Sequence, residues 1–260
     1  MNIKPKLSIL NDKKDAQDKK DPERMDLMMR TIKAVHSAAT SNTFKSEETL
    51  KKQRAEMEMF SKLVAPTFAV DIKSFTVENI ACEWVSLGAG HRKDKIILYC
   101  HGGGYVSGGL GYARILAAKL AFYTGMETIS FEYRLAPEHK YPSQIEDGMK
   151  LWDYLMHMGY GANDIILAGD SAGGNLALEM CLELRKVGRF LPYALVLMSP
   201  WTDMRAVAAS YERYAAKDPL LTLNYVQSAR NAYAGDDVDY ELEQYSPVMA
   251  DLSDFPPTLI

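Results

Sequence analysis

The residues with the clearest chemical meaning form the pentapeptide Gly169-Asp170-Ser171-Ala172-Gly173, which has the pattern G-x-S-x-G. An apolar run precedes it and an amphipathic helical pattern follows it, so the serine lies at a strand-to-helix turn. Glycines two positions before and after the serine relieve crowding in such a turn, which holds the serine in a strained conformation with its hydroxyl exposed. A helix N-terminus also favours developing negative charge. The pattern predicts that Ser171 is a catalytic nucleophile.

The sequence HGGGY at 101–105 follows the apolar run at 96–100 and is a second candidate for chemistry. A glycine run at the end of a strand lets backbone N–H groups point into a cavity, where they can bind the oxyanion of a tetrahedral intermediate. The N–H of the residue after the nucleophile completes such an oxyanion hole. We therefore predict that Gly102, Gly103 and Ala172 donate these hydrogen bonds.

The remaining members of a catalytic triad are hard to find in this sequence. Serine hydrolases with such an elbow carry the acid and then the histidine after the serine, but the last histidine is His157, which precedes Ser171. His139 and His157 are interpreted as structural residues, the first in a loop and the second near a helix end. Three aspartates could replace the acid, but they are poor candidates because they lie in or beside a presumed insertion near 203–245: Asp203, Asp218 and Asp236.

Further motifs accompany the elbow and the glycine loop. They are YRLAPEH at 133–139, YP at 141–142, the extended elbow GDSAGGN at 169–175 and SPWTD at 199–203. With these motifs the region 96–260 resembles the hormone-sensitive-lipase-like esterases of the α/β-hydrolase superfamily. The order and spacing of the motifs make the resemblance specific.

This resemblance implies hydrolysis of short to medium acyl esters through an acyl-serine intermediate. It implies that His101 braces the glycine loop and exchanges no proton with the substrate. It also implies that the triad acid and histidine follow the next two strands, beyond Ile260. The chain as given is therefore expected to be nearly inactive, because losing a triad member costs several orders of magnitude in rate, although the oxyanion hole retains some catalysis.

The elements that position these motifs alternate between short apolar runs and helical stretches, which is typical of a mostly parallel sheet with helices on both faces. Strands are predicted at 70–77, 81–87, 96–100, 128–133, 165–168 and 194–198. Helices are predicted at 24–36, 46–64, 112–123, 144–158 and 172–187. Taken with the resemblance, this predicts an α/β-hydrolase fold with a small helical cap, whose C-terminal strands and helices lie outside the sequence.

The same patterns divide the chain into regions. We expect a mobile polar leader at 1–23, N-terminal cap helices at 24–66 and an α/β core at 67–260 with a helical insertion near 203–245. The last residues indicate a loop that has just entered a further strand. Without strands beyond it, the strand at 194–198 is expected to be an exposed apolar edge, and the isolated chain to be poorly soluble or partly unfolded.

Composition narrows the class of protein. The 260 residues are 47% hydrophobic and 25% charged, a balance typical of a soluble globular protein. The net charge of -4 makes nucleic acid an unfavourable partner. The three cysteines are expected to be buried free thiols, and no residue cluster has the spacing of a metal or cofactor site. No signal peptide or stable membrane insertion is indicated, so the cytoplasm is the expected location, while a homodimer stays open.

Two alternatives to a short-chain esterase stay open at this point. A non-catalytic protein on the same scaffold could bind a small molecule, although the intact elbow and glycine loop argue against binding alone. The same acyl-serine chemistry could also act on an amide or peptide. An amide suffers more from a missing histidine, because the leaving amine must be protonated.

Overall fold

The structure is a computed structural model that describes residues 47–63, 68–88, 92–218 and 221–260. The predicted leader at 1–23 and the predicted helix at 24–36 lie outside these residues. The second predicted N-terminal helix is present as α1, Glu47–Leu63. Leu50 buries its side chain and α1 packs against the helix that follows the third strand, as expected for an amphipathic helix.

The core alternates strands and helices as the sequence predicts. The strands are β1 Asp71–Val77, β2 Ile80–Ser86, β3 Arg92–Cys100, β4 Met126–Phe131, β5 Ile165–Asp170, β6 Ala194–Met198 and β7 Thr258–Leu259. The helices after α1 are α2 Leu110–Thr124, α3 Ser143–His157, α4 Ala172–Lys186, α5 Ser210–Tyr214 and α6 Leu223–Tyr233. Two short 3-10 turns, Ala162–Asp164 and Pro247–Met249, complete the described elements.

Seven strands form one sheet in the order β1-β2-β4-β3-β5-β6-β7. β1 and β2 are antiparallel to their neighbours, and the strands from β4 to β7 are parallel. Every residue of β5 is buried, which explains why this strand is a continuous apolar run up to the motif. The mostly parallel α/β sheet predicted from the sequence is therefore confirmed.

Helices cover both faces of this sheet. On one face, Leu98 and Leu167 belong to a large apolar cluster with residues of α3 and α4. On the other face, Ile97 and Ala168 pack with a row of buried alanines from α2. Neighbouring strand residues point to opposite faces, so β3 and β5 contribute to both clusters. The carboxyl ends of these two central strands lead directly into the glycine loop and the elbow.

The edge of the sheet differs from the expectation. β6 was expected to be an exposed edge, but Leu195 and Val196 pair with Thr258 and Leu259 of β7. The N–H of Leu195 also donates to the carbonyl of Pro257 at 2.9 Å. The expectation for β6 is wrong because these last residues already add a strand. Among the described residues, the edge strand on this side of the sheet is β7, where Leu259 is 67% exposed. The predicted entry into a further strand is confirmed.

The segment expected to be a helical insertion is only partly helical. Between 203 and 245 the described residues form α5 and α6, with turns around them. Thr222 begins α6 by accepting a hydrogen bond from the N–H of Tyr225. Tyr225 and Val226 are buried against Ala206. Among the described residues, no helix is both long and apolar enough to cross a membrane, and all three cysteines are buried free thiols as predicted.

Candidate active site

Ser171 lies in a sharp turn between β5 and α4. Its backbone has φ 52° and ψ −117°, a region that side-chain-bearing residues rarely adopt. The turn is fixed from the segment after β6, because the Ser171 N–H donates to Met198 O at 3.0 Å and its carbonyl accepts from the Trp201 N–H at 2.9 Å. The hydroxyl does not cap α4. The chain therefore holds Ser171 in a strained conformation with its hydroxyl uncommitted to the helix.

The glycines of the elbow are required by close backbone contacts. A Cβ atom on Gly169 would overlap the backbone of Gly173, and one on Gly173 would overlap the carbonyls of Cys100 and His101. These distances are far inside van der Waals contact, so even an alanine would displace the backbone. The crowding that the sequence predicts at these two positions is therefore present.

The glycine loop after β3 is a tight turn with two glycines at positive φ. Gly103 and Gly104 have φ values of 120° and 64°. The N–H groups of Val106 and Ser107 both donate to the carbonyl of Gly103, at 3.2 and 3.0 Å. In the described part of the chain, the N–H groups of Gly103 and Gly104 have no protein acceptor. Two backbone donors are thus available beside the elbow.

Gly102 is not available in the way the sequence analysis expected. Its N–H donates to Asp170 Oδ1 at 2.8 Å, so this donor is already satisfied by the carboxylate. A Cβ on Gly102 would also overlap that carboxylate, which shows how closely the two segments approach. The expectation that Gly102 binds an oxyanion is not supported by this geometry. Gly104, which is not among the predicted donors, has an uncommitted N–H instead.

Asp170 connects the elbow to the glycine loop. Asp170 is only 8% exposed. Its carboxylate accepts hydrogen bonds from the hydroxyls of Tyr99 at 2.6 Å and Tyr112 at 2.7 Å, in addition to the one from the Gly102 N–H. Burial first, and then the Asp170 carboxylate, raise the pKa of both tyrosines. Both tyrosines therefore stay protonated donors. From the sequence, Asp170 is a motif position without an assigned role, since its partners are distant along the chain.

His101 supports the same loop from inside. Its Nδ1 lies 2.7 Å from the Gly102 carbonyl and its ring stacks on Tyr133 at 4.2 Å. Burial lowers the pKa of His101, so the ring is neutral, and Nδ1 must carry the proton because a carbonyl can only accept. The Tyr133 hydroxyl in turn donates to the His101 carbonyl at 2.7 Å. The contacts agree with the bracing role that the resemblance implies.

Asn175 joins the elbow helix to two other segments. Its Oδ1 accepts the Tyr105 hydroxyl at 2.6 Å, and its Nδ2 donates to the carbonyls of Trp201 at 2.8 Å and Tyr245 at 3.3 Å. Tyr105 has φ 64°, so the hydroxyl contact holds a residue in an unusual backbone conformation. From the sequence, Asn175 is only a motif match, although its place one helical turn after Ser171 is a signal for such a role.

The other residues weighed as acid or base are engaged elsewhere. Asp203 pairs with Arg205 at 2.9 Å, and this guanidinium lowers its pKa. Asp218 accepts the N–H of Leu221, and Asp236 is exposed. His157 Nδ1 lies 2.7 Å from Asp153 O, four residues earlier in the same helix.

His139 is exposed, and the Gln144 amide donates to its backbone carbonyl at 2.6 Å. Within the described residues, no imidazole makes a hydrogen bond to Ser171. The same residues contain no cluster of three His, Cys, Asp or Glu that could hold a metal ion. The chemistry that the described residues bring together is a strained serine, backbone N–H donors and a buried network that orients both.

A strained serine after a central parallel strand, beside a glycine turn after the neighbouring strand, defines the α/β-hydrolase class. A family profile described as an alpha/beta hydrolase fold matches residues 97–260. A crystal structure of an esterase from the bacterial hormone-sensitive lipase family superposes with a TM-score of 0.78 at 30% identity, covering 88% of this chain and 76% of that one.

Curated relatives agree with this assignment. An esterase of Acinetobacter venetianus is 32% identical over 207 residues, which cover 80% of this chain and 68% of the esterase. An acetyl-hydrolase of Streptomyces hygroscopicus is 34% identical over 186 residues, which cover 71% of this chain and 61% of that protein. The chain belongs to the hormone-sensitive-lipase-like esterase family of the α/β-hydrolase superfamily, and it spans about two thirds of the length of these relatives.

Proposed function

We propose that the protein is a carboxylester hydrolase in which the Ser171 hydroxyl attacks the ester carbonyl. The observation that carries this proposal is the strained backbone of Ser171 beside a glycine turn whose Gly103 and Gly104 N–H groups have no protein acceptor within the described residues. Together with the Ala172 N–H, these groups can receive the negative charge that develops on the carbonyl oxygen. The oxyanion hole therefore consists of Gly103, Gly104 and Ala172.

The reaction passes through an acyl-serine intermediate. The Ser171 oxygen gives up its proton and bonds to the carbonyl carbon as the carbonyl electrons move to the oxyanion. Collapse of this intermediate breaks the bond between the acyl carbon and the alcohol oxygen, and the alcohol leaves with a proton. Water then attacks the acyl-serine, forming the carboxylic acid and regenerating the hydroxyl. A relative with the name acetyl-hydrolase supports short acyl groups, and the resemblance extends this to medium chains.

The serine needs a base to take its proton, and loss of that base lowers turnover by several orders of magnitude. No histidine among the described residues makes a hydrogen bond to the Ser171 hydroxyl. Where no base reaches Ser171, turnover is expected to be slow and to be supported mainly by the oxyanion hole. The buried free thiols support a reducing compartment such as the cytoplasm.

Fluorophosphonate labelling, combined with hydrolysis of para-nitrophenyl acetate, butyrate and octanoate, tests the proposal. We expect one label per chain, mapped to the peptide that contains Ser171, and no label or turnover in Ser171→Ala. Ser253→Ala is the matched control, because Ser253 is an exposed serine far along the chain, and it should behave as wild type.

Two results would contradict the proposal. Tight reversible binding of a small molecule without labelling of Ser171 would favour the non-catalytic alternative. Faster cleavage of a butyryl anilide than of the matched butyryl ester would favour an amide substrate.

A further inference from the structure

Arg54 on helix α1 reaches from the N-terminal part of the chain to the glycine loop. Its Nε donates to the Val106 carbonyl at 2.9 Å, and its Nη2 donates to the Ala136 carbonyl at 3.0 Å. Both Nη atoms also bind the carboxylate of Glu138, each at 2.8 Å. One guanidinium thus contacts two loops that are 52 and 82 residues away in sequence.

We propose that Arg54 is a positioning residue for the oxyanion hole, which orients the Gly103 and Gly104 N–H groups by holding the Val106 carbonyl. This inference rests on the proposed esterase function. It assigns a role in catalysis to helix α1, which lies outside the region 97–260 that matches the family profile.

The peptide unit between Val106 and Ser107 links Arg54 to the glycine loop. Its carbonyl accepts from Arg54, while its N–H, which belongs to Ser107, donates to the Gly103 carbonyl at 3.0 Å. A peptide unit is planar, so fixing both ends fixes the plane. Gly103 and Gly104 are flexible residues at positive φ, and without such a restraint their N–H groups can rotate away from the oxyanion.

The second loop adds to this restraint. The N–H of Ala136 donates to the Tyr105 carbonyl at 2.9 Å, so the segment after β4 already lies along the glycine loop. Arg54 binds the carbonyl of the same Ala136 and closes the arrangement from the other side. A guanidinium offers several donors in a rigid fork, which suits contacts to two carbonyls and a carboxylate at once. A lysine has a single nitrogen and cannot reproduce this geometry.

The exposure of the Arg54–Glu138 ion pair indicates that this pair does little to stabilise the fold. The side chains of Arg54 and Glu138 are 27% and 48% exposed, and pairs exposed to this extent contribute little to the free energy of folding. The Arg54 guanidinium lowers the pKa of Glu138, so this carboxylate stays ionised at neutral pH. The contacts to the two carbonyls are the ones that bear on catalysis.

The test compares Arg54→Met, Arg54→Lys and Glu138→Gln with wild type, using kcat and KM for para-nitrophenyl butyrate. Hydrogen exchange of the peptide that covers 101–107 is measured in the same proteins, together with the melting temperature. We expect Arg54→Met to lower kcat about 10-fold or more with KM within 2-fold, because an oxyanion hole acts in the transition state, and to accelerate exchange in 101–107.

The two other variants sharpen this expectation. Arg54→Lys should rescue only part of kcat. Glu138→Gln leaves both carbonyl contacts in place and should keep kcat within 2-fold of wild type. Lys52→Met, an exposed substitution on the same helix, is the matched control and should not change either readout.

The outcomes separate this inference from the proposed function. Wild-type turnover that Arg54→Met leaves intact, or unchanged exchange at 101–107, would overturn the inference alone. A fall in melting temperature without any change in kcat would overturn it as well. A wild-type protein without Ser171-dependent turnover would overturn the proposed function, and the inference with it.

Discussion

At the scale of single residues, the polar side chains around Ser171 act on the backbone. Asp170 binds the Gly102 N–H, His101 binds the Gly102 carbonyl, and Asn175 holds the hydroxyl of Tyr105. Each contact restrains a loop that glycines would otherwise leave flexible. The donors for negative charge are backbone N–H groups, so their direction depends on these side chains even though none of the three is proposed to touch the ester.

Asp170 offers the sharpest test at this scale. Asp170→Ala removes the acceptor of Tyr99, Tyr112 and Gly102 and leaves two buried donors, those of Tyr99 and Gly102, unsatisfied. Each unsatisfied buried donor costs about 1–3 kcal/mol, so the free energy of unfolding should fall by about 2 kcal/mol or more. Urea denaturation measures this loss, and fluorophosphonate labelling of Ser171 should slow in parallel.

Asp170→Asn is the matched control for that substitution. The amide keeps one oxygen for Tyr99 and Gly102 and has nearly the same shape, and the Tyr112 hydroxyl can accept from its nitrogen. Only the charge assistance is lost, which corresponds to about 1 kcal/mol. Equal unfolding free energies for the two variants would show that the carboxylate does not organise these donors.

At the scale of elements, the sequence predicts strands and helices well where apolar runs are unbroken. The strand predicted at 165–168 is Ile165–Asp170, and the helix predicted at 172–187 is Ala172–Lys186. β3 begins four residues earlier than predicted, because Arg92 pairs with Met126 across a bulge although the segment is polar. Apolar periodicity does not detect such a polar extension.

In the candidate site, the nucleophile could be predicted from the sequence, but the full set of oxyanion-hole donors could not. The elbow has a local cause, crowding between residues a few positions apart, so G-x-S-x-G identifies Ser171 from the sequence. Whether Gly102 or Gly104 has a free N–H for the oxyanion depends on whether Asp170 approaches the loop. The contact between Arg54 and Val106 joins residues that are 52 positions apart in sequence. Contacts of this kind arise only when the sheet brings the segments together.

Alanine substitutions at two glycines test whether crowding at the elbow controls the reactivity of Ser171. Gly173→Ala introduces a Cβ that overlaps the carbonyls of Cys100 and His101, so β5, α4 and the end of β3 must move apart. We expect a loss of about 1–3 kcal/mol in the free energy of unfolding, the usual cost of overpacking, and no labelling of Ser171. Chemical denaturation and mass spectrometry of the labelled peptide provide the two measurements.

Gly111→Ala is the control for this substitution. Gly111 lies in α2, and the nearest atom to its added Cβ is the Ser61 Cβ at 3.9 Å, an ordinary contact. Alanine is favoured over glycine in a helix by about 1 kcal/mol, so the variant should be as stable as wild type or more so. If Gly173→Ala were labelled as fast as Gly111→Ala, crowding at the elbow would not control the serine.

At the scale of the whole molecule, a buried tyrosine cluster joins the elbow helix, the glycine loop and the inserted segment. Tyr105 stacks on Tyr233 of α6 at 3.9 Å, and Tyr141 contacts both Tyr233 and Tyr245 edge-on. Glu179 of α4 is only 3% exposed and lies near three of these tyrosines, Tyr105, Tyr141 and Tyr233, whose pKa values are raised mainly by burial. An acidic group thus lies at the junction of three parts of the fold.

Burial raises the pKa of Glu179 well above its ordinary value, and the negative charges of Glu243 and Glu183 raise it further. Its Oε1 is buried and has no hydrogen-bond partner among the described residues. The folded protein therefore keeps this carboxyl protonated to a higher pH than the unfolded chain, which ionises it at about pH 4.3. Folding is fully favoured by this group below that pH, and the contribution is lost as pH rises towards the folded-state pKa.

Glu179→Gln should therefore change the pH dependence of stability in a defined direction. Wild type should lose up to about 1.4 kcal/mol per pH unit from this group above about pH 4.3, while the neutral amide loses none. The melting temperature of the variant, measured by calorimetry between pH 5 and pH 8, should fall less steeply than that of wild type, so the difference grows with pH. Glu212→Gln, at an exposed position in α5, should follow the wild-type curve. Parallel curves for Glu179→Gln and wild type would mean that Glu179 is ionised in the folded protein and that the tyrosine cluster tolerates its charge.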